Sequence, residues 1–258
     1  METKYIAFLD ILGFKDLIEN NEINVLDKLY DELQESLMHC FSFANAEHLM
    51  KENKDEDAGI EENNLNSLII SDSIIIWTDD DSQRSFVNLI FTIRYLLYRS
   101  ILSGFPLRGG LSCGELIVKS GSHAQSPKIN SYSTILGKGL TRAYLIENVS
   151  EWSGCTIDEK CIDHFNSKLE SESEDTADLS FLEEMDFVKT YKVPFKSGEI
   201  KKCVTINWTH IGVGALDSKK IRESFSKHNK KVTDWSVENK IRNTLKFFNS
   251  AKKNKNVT

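Results

Sequence analysis

Residues 67–77 read SLIISDSIIIW, and no other stretch narrows the fold as much. Two short β-branched runs flank a two-residue polar break, Ser71-Asp72. That pattern predicts a tight β-hairpin, with strands over 66–70 and 73–78 and a carboxylate at its tip. A solvated turn aspartate is the plain alternative for Asp72. The segment YIAFLDILGF, residues 5–14, shifts the weighing. Its strand, residues 4–10, has no alternating solvated face, which predicts a central strand covered on both sides. The strand ends in Asp10, and Gly13 permits a turn against its end. A carboxylate closing a core strand, beside a second on a hairpin tip, can hold divalent ions against a triphosphate.

The other elements follow from periodicity. Apolar positions from Phe14 to Phe41 predict one helix over 14–45, or two with a break near Asn20-Asn21. Residues 47–64 are charged and without apolar period, which predicts an insertion or loop. Asp79-Asp80-Asp81-Ser82 offers an N-cap and an acidic first turn to a helix over 83–103, ended by Gly104 and Pro106. The segment LRGGLSCGELIV (107–118) reads as a strand, a Gly-Glu turn and a second strand, followed by a polar loop over 119–131. Residues 132–149 lead through Gly137-Lys138-Gly139 into a helix. A strand at 155–157, a helix at 159–169, an acidic loop at 169–178, strands at 186–193 and 201–209, and C-terminal helices complete the order. Strands separated by helices and by two hairpins predict an α+β sandwich of ferredoxin-like type, a mostly antiparallel sheet with helices packed on it. The expected division is a first part over 1–165 and C-terminal strands and helices over 166–258 that complete or regulate it.

Composition narrows the partners. The 258 residues carry a net charge of −7, which disfavours binding nucleic acid or anionic membranes by bulk charge. No apolar run has membrane-spanning length and no basic-then-apolar leader is present, so a soluble, cytoplasmic protein is expected. The five cysteines form no C-x-x-C pair and read as structural thiols. Six scattered histidines lack metal-ligand spacing.

Four blocks in order resemble the catalytic domain of class III nucleotidyl cyclases, over roughly residues 4–160. YIAFLDILGF resembles the first metal-binding strand and turn, and IISDSIIIW the hairpin of the second aspartate. LRGGLSCGEL resembles the Arg/Gly-rich strand, and ILGKGLTRAYLIE the Gly-led helix ending in an apolar-Glu pair. Among these cyclases the chain looks most like the bacterial anti-phage pyrimidine cyclases, the Pycsar effectors. The resemblance implies that the ribose 3′-oxygen of a nucleoside triphosphate attacks the α-phosphorus and pyrophosphate leaves. It implies two Mn²⁺ or Mg²⁺ ions held by Asp10, Asp72 and the carbonyl of Ile11, hard oxygen donors suited to those ions. The N–H groups of Leu12, Gly13 and Phe14 would hold the β- and γ-phosphates. It also implies a head-to-tail homodimer with sites at the interface, and a downstream effector that senses the cyclic nucleotide.

Two departures shape the expected specificity and catalysis. Purine cyclases read the base with a Lys or Glu four residues before the second aspartate, where Leu68 stands here, and at a second position occupied by Thr134. A Leu/Thr pair removes the adenine reader and is compatible with a pyrimidine. The family's transition-state Asn falls at Thr141 and its Arg at Leu145, so neither is present. Arg142, one turn before Leu145, and Arg108, at the start of the Gly-rich strand, are the candidate substitutes. Arg108 reads equally well as a surface strand charge. Lys138 between two glycines is a candidate phosphate contact. The expectation is a metal-dependent cyclase making a cyclic pyrimidine monophosphate, UTP favoured over CTP, as an anti-phage signal. The alternatives are an adenylate or guanylate cyclase with an atypical pocket and a catalytically dead nucleotide-binding module.

Overall fold

The computed structural model describes residues 2–43, 64–125, 128–168, 179–211 and 216–253. The loops expected at 47–64 and 169–178 lie, apart from Asn64, outside them. Strand β1 (Thr3–Ile11) runs into a short helix, α1 (Phe14–Glu19), and a long one, α2 (Ile23–Phe43). The break expected near Asn20-Asn21 is therefore present. The hairpin β2 (Leu65–Ile70) and β3 (Ser73–Thr78) leads to α3 (Gln83–Ser103), then β4 (Leu107–Glu115). Next come β5 (Ile117–Gln125), β6 (Lys128–Leu136), α4 (Lys138–Val149), β7 (Gly154–Ile157) and α5 (Glu159–Ser167). The C-terminal part holds α6 (Leu179–Glu184), β8 (Val188–Pro194), β9 (Ile200–Ile206), α7 (Ser218–Ser226) and α8 (Trp235–Lys253).

Seven strands form one sheet in the order β2-β3-β1-β4-β7-β9-β8, with β5 and β6 paired separately. Every neighbouring pair is antiparallel except β4 and β7. This is the mostly antiparallel α+β architecture that the pattern predicts. The central position of β1 explains its continuous apolar run, because both faces are covered. On one face Tyr5, Ala7 and Leu9 are wholly buried with Ile74 and Ile76 in the main core, which also takes Leu29, Leu33 and Leu37 of α2 and Phe86, Leu89 and Ile93 of α3. On the other, Ile6, Ile75 and Leu116 form a smaller cluster flanked by Phe8, Trp77, Ile135 and Leu140. Helix α4 lies on that second face, close enough at Gly110 that an added Cβ would sit 2.2 Å from the Ala143 carbonyl oxygen.

Three expectations need correction. Residues 119–131 are not a loop: they belong to the β5–β6 hairpin, whose polar sequence lacks an apolar period because it stands apart from the main sheet. Strand β4 consequently does not pair with the strand after the Gly-Glu step. The acidic residues before α3 are not its first turn either. Ser82 is the cap, accepting from the Ser85 N–H, and Asp80 accepts from Ser82 and Ser85 just ahead of the helix. Helix α6 has no counterpart in the expected order. All five cysteines are free thiols, four of them buried. No helix among the described residues is long and apolar enough to cross a membrane.

Candidate active site

The register of β1 places the two aspartates together. Asp10 lies opposite Ser73 on β3 and opposite Arg108 on β4. The turn between β2 and β3 has only Ser71 and Asp72, and Ser71 takes the left-handed φ of +57° that such a short turn demands. Its tip is anchored twice: the Ile11 N–H donates to the Asp72 carbonyl at 2.9 Å, and the Tyr30 hydroxyl donates to the Ser71 carbonyl at 2.8 Å. The Asp72 carboxylate is close enough to Asp10 to add to the rise of its carboxyl.

Arg108 is not a surface charge. It is buried, with its guanidinium bridging the Asp10 carboxylate at 3.1 Å and the buried Glu147 of α4. A further N–H donates to the Ser150 carbonyl at 3.2 Å. Its fork is thus engaged by the protein's own acceptors rather than directed at a phosphate or a base. Glu147, read from the sequence only as the end of a motif, is the third carboxylate of the cluster.

Three carboxylates face one guanidinium, and the electrostatics follow. Burial pushes the Asp10 carboxyl up to about 7, with Glu147 and Asp72 adding to the rise and Arg108 opposing it. Burial likewise raises Glu147 against the pull of Arg108. The Asp10 and Asp72 carboxylates are hard oxygen donors of the kind Mg²⁺ and Mn²⁺ take. Among the described residues no group of three or more His, Cys, Asp or Glu side chains is placed to hold a metal ion, Asp10, Asp72 and Glu147 included. Two carboxylates with substrate phosphates completing the shell is a usual arrangement for Mg²⁺.

The β1–α1 turn is only partly as expected. The Leu12 N–H is already used, donating to the Pro106 carbonyl at 2.9 Å, because the turn closes against the start of β4. The Gly13 and Phe14 N–H groups have no partner among the described residues. Gly13 has φ +80°, so the sharp turn requires glycine there. Ile11 closes β1 opposite Leu107.

The remaining candidates lie elsewhere. Leu68 is half-buried on β2 opposite Ile75, whereas Thr134 is exposed on β6, in the separate hairpin. Lys138 is 79% exposed and 3.5 Å from Glu115. Thr141 is exposed, its hydroxyl donating to the Gly137 carbonyl at 3.1 Å. Arg142 does not share a reachable point with Leu145. It folds back onto β4, donating to the Ser112 hydroxyl at 3.2 Å and to the Cys113 carbonyl, with Asp158 at 3.4 Å, while Leu145 is exposed. Ser112 and Cys113 are four and five residues along β4 from Arg108. At about 3.3 Å per residue, that separates Arg142 from Asp10 by about 13–17 Å along the strand. Glu115, Gly137, Lys138, Thr141 and Arg142 line a cavity of about 590 Å³ at that far end.

No protein-family model and no curated protein matches the chain. Among solved structures it is similar to a bacterial light-regulated adenylyl cyclase, at 11% identity and a TM-score of 0.49, over 88% of this chain and 57% of that one. It is also similar to a crystallised guanylyl cyclase, at 11% identity and 0.45, over 82% of this chain and 94% of that one. A third is the adenylyl cyclase CyaB from P. aeruginosa, at 14% identity and 0.43, over 84% and 97%. The chain spans little more than half the length of the light-regulated cyclase. With TM-scores below 0.5, function rests on the site itself.

Proposed function

We propose that the protein is a metal-dependent nucleotidyl cyclase that converts a pyrimidine nucleoside triphosphate, UTP in preference to CTP, to a 3′,5′-cyclic monophosphate and pyrophosphate. One observation carries the reading: the β1 register and the β2–β3 turn bring the partly buried Asp10 and Asp72 together at the end of the central strands. Asp10, Asp72 and the Ile11 carbonyl would hold two Mn²⁺ or Mg²⁺ ions. Ions bound there supply charge neutralisation at the nucleophile and at the leaving phosphates. The 3′-hydroxyl gives its proton to water, its oxygen forms the new bond to the α-phosphorus, and the bond from that phosphorus to the bridging oxygen breaks, so that pyrophosphate leaves. The Arg108–Glu147 pair keeps the Asp10 carboxylate aimed, and the Gly13 and Phe14 N–H groups face the phosphates.

The separation of Arg142 from Asp10 supports a site shared by two chains. In a head-to-tail homodimer the far cavity of one protomer, with Lys138, Thr141 and Arg142, meets the aspartates of its partner. Exposed Ile70, Tyr144, Leu145 and Val149 provide apolar surface for that contact. Leu68 and Thr134 offer the base an apolar wall and one hydroxyl, which suits a pyrimidine. An anti-phage alarm role, with a downstream sensor of the product, rests on the sequence resemblance. The second reading, a nucleotide-binding module without turnover, is favoured by Thr141 and Leu145 standing where the cyclases have Asn and Arg.

The test is product analysis from pure protein with Mn²⁺ and an equimolar mixture of ATP, GTP, CTP and UTP. One cyclic monophosphate with pyrophosphate is expected, and Asp10→Ala or Asp72→Ala should abolish it. A cyclic purine product would replace the pyrimidine assignment. Near-normal turnover by either aspartate variant would remove the metal assignment.

A further inference from the structure

A second cavity, of about 280 Å³, opens beside Gly13, and five cations, Arg108, Lys196, Lys230, Lys231 and Lys240, line it with two carboxylates, Asp10 and Asp16. Three of these lysines come from the chain between α7 and the middle of α8, which follows the last strand of the sheet. That segment is fastened to the β1–α1 turn. His228 and Asn229 both take left-handed φ, +58° and +59°, a conformation that persists in such residues only when the surroundings fix it. Here they do. The Asn21 amide donates to the His228 carbonyl at 2.8 Å, the Asn20 amide to the Asn229 carbonyl at 3.1 Å, and the Lys231 N–H to the Asp16 carboxylate at 3.0 Å. The Lys230 ammonium donates to the Gly104 and Ser224 carbonyls at 2.6 and 3.0 Å. Its stem passes so close to Gly13 that a Cβ there would lie 3.1 Å from it.

The cations divide by what they already hold. Arg108 is engaged by Asp10 and Glu147, and Lys230 by two carbonyls. Lys240 contacts the Ser236 hydroxyl at 2.9 Å and lies 3.6 Å from Glu151, and Lys196 donates to the Asn148 amide oxygen at 3.2 Å. The Lys231 ammonium has no partner among the described residues. Lysine ammonium groups on a small cavity beside a carboxylate pair form the charge pattern of a polyphosphate site. The volume, just under the range of whole-ligand pockets, suits a diphosphate rather than a complete nucleotide.

We infer that Lys231, with Lys240 and Lys196, binds the terminal phosphates of the substrate in the same chain that supplies Asp10, so that residues 216–253 form the pyrophosphate-holding wall of the site. The inference rests on the cyclase reading for the identity of the substrate, though not for the phosphate chemistry. Lys230 is a positioning residue, holding the Lys231 turn against Gly13.

The experiment measures two things on Lys231→Ala, Lys231→Glu and Lys231→Arg beside the wild type. Calorimetry gives the affinity for inorganic pyrophosphate with Mg²⁺, and turnover gives KM for the triphosphate with pyrophosphate as inhibitor. The expected result is at least tenfold weaker pyrophosphate binding in Lys231→Ala, a larger loss in Lys231→Glu, and recovery in Lys231→Arg. Affinity for the nucleoside monophosphate, which has no terminal phosphates, stays at the wild-type value. Turnover in the wild type with unchanged pyrophosphate affinity in Lys231→Ala overturns the inference and leaves the cyclase standing. Pyrophosphate binding that depends on Lys231 in a protein without turnover supports the pocket and removes the cyclase. A wild-type protein that binds no pyrophosphate overturns the inference.

Discussion

Replacing Asp10 by Asn should make the metal-free protein more stable while ending its function. In the folded chain the Asp10 carboxyl is raised from 3.8 to about 7, mainly by burial and then by Glu147. A rise of about 3 units is worth ~4 kcal/mol at 1.36 kcal/mol per unit. The sign follows from linkage. Between pH 3.8 and about 7 the folded chain binds more protons at this site than the unfolded chain, so stability falls as pH rises through that window. Above pH 7 the whole cost is present; below pH 3.8 none is. Asparagine keeps an oxygen for the Arg108 N–H and carries no charge, so it removes the cost while weakening that one bond. A net gain of about 2 kcal/mol at pH 8 corresponds to roughly 4–8 °C in Tm for a chain of this size. Calorimetric melts of both proteins in chelator at pH 4, 6 and 8, repeated with Mn²⁺, read the effect. The gap should be widest at pH 8 and close by pH 4, and Mn²⁺ should raise the melting temperature of the wild type alone. A variant that melts below the wild type at pH 8, or a gap independent of pH, would refute the charge argument.

Gly110→Ala should lower stability by about 1–3 kcal/mol, because its Cβ would meet the Ala143 oxygen at 2.2 Å and the Glu147 nitrogen at 3.0 Å and must push α4 off the sheet. Thermal melting measures it, and an unchanged Tm would contradict the close approach. Leu145→Arg, at a side chain already 52% exposed, should leave the melt of the isolated chain intact yet convert a dimer to monomer in light scattering and abolish turnover. A wild-type protein that remains monomeric with nucleotide present would count against the shared site.

Where the sequence spoke clearly, local chemistry decided the structure. The β2–β3 hairpin was legible because β-branched runs meet across a break too short for anything but a turn. The limits of α3 were legible because Ser82 caps one end and Gly104, at φ +90°, closes the other. The β5–β6 hairpin was not legible, since apolar alternation records burial and the described ends of this hairpin leave Val118, Tyr132 and Leu136 exposed. Helix α6 is a six-residue turn of chain held by Leu182 in the core, too short to show a period.

The site divides along the same line. Asp10 and Asp72 each sit at the end of a strand whose local pattern is strong, so two carboxylates within reach of each other were readable before any contact was known. The partners that set their charge are long-range. Arg108 meets Glu147 only because α4 crosses back over Gly110, and no spacing rule links positions on a strand and on a later helix. The lysines at 196, 230, 231 and 240 present an extreme case. In sequence Lys230, Lys231 and Lys240 belong to the basic background of the C-terminal helices, and Lys196 falls between two expected strands. They converge because the β8–β9 turn and the α7–α8 junction both return to the Gly13 turn, the junction fixed by the Asn20 and Asn21 amides donating to it and by the Lys231 N–H donating to Asp16. The two aspartates of the site are thus written locally, whereas Glu147 and the four lysines are written in the topology. A site built this way would bind a metal–polyphosphate complex better than either component, since each half supplies the charge the other lacks.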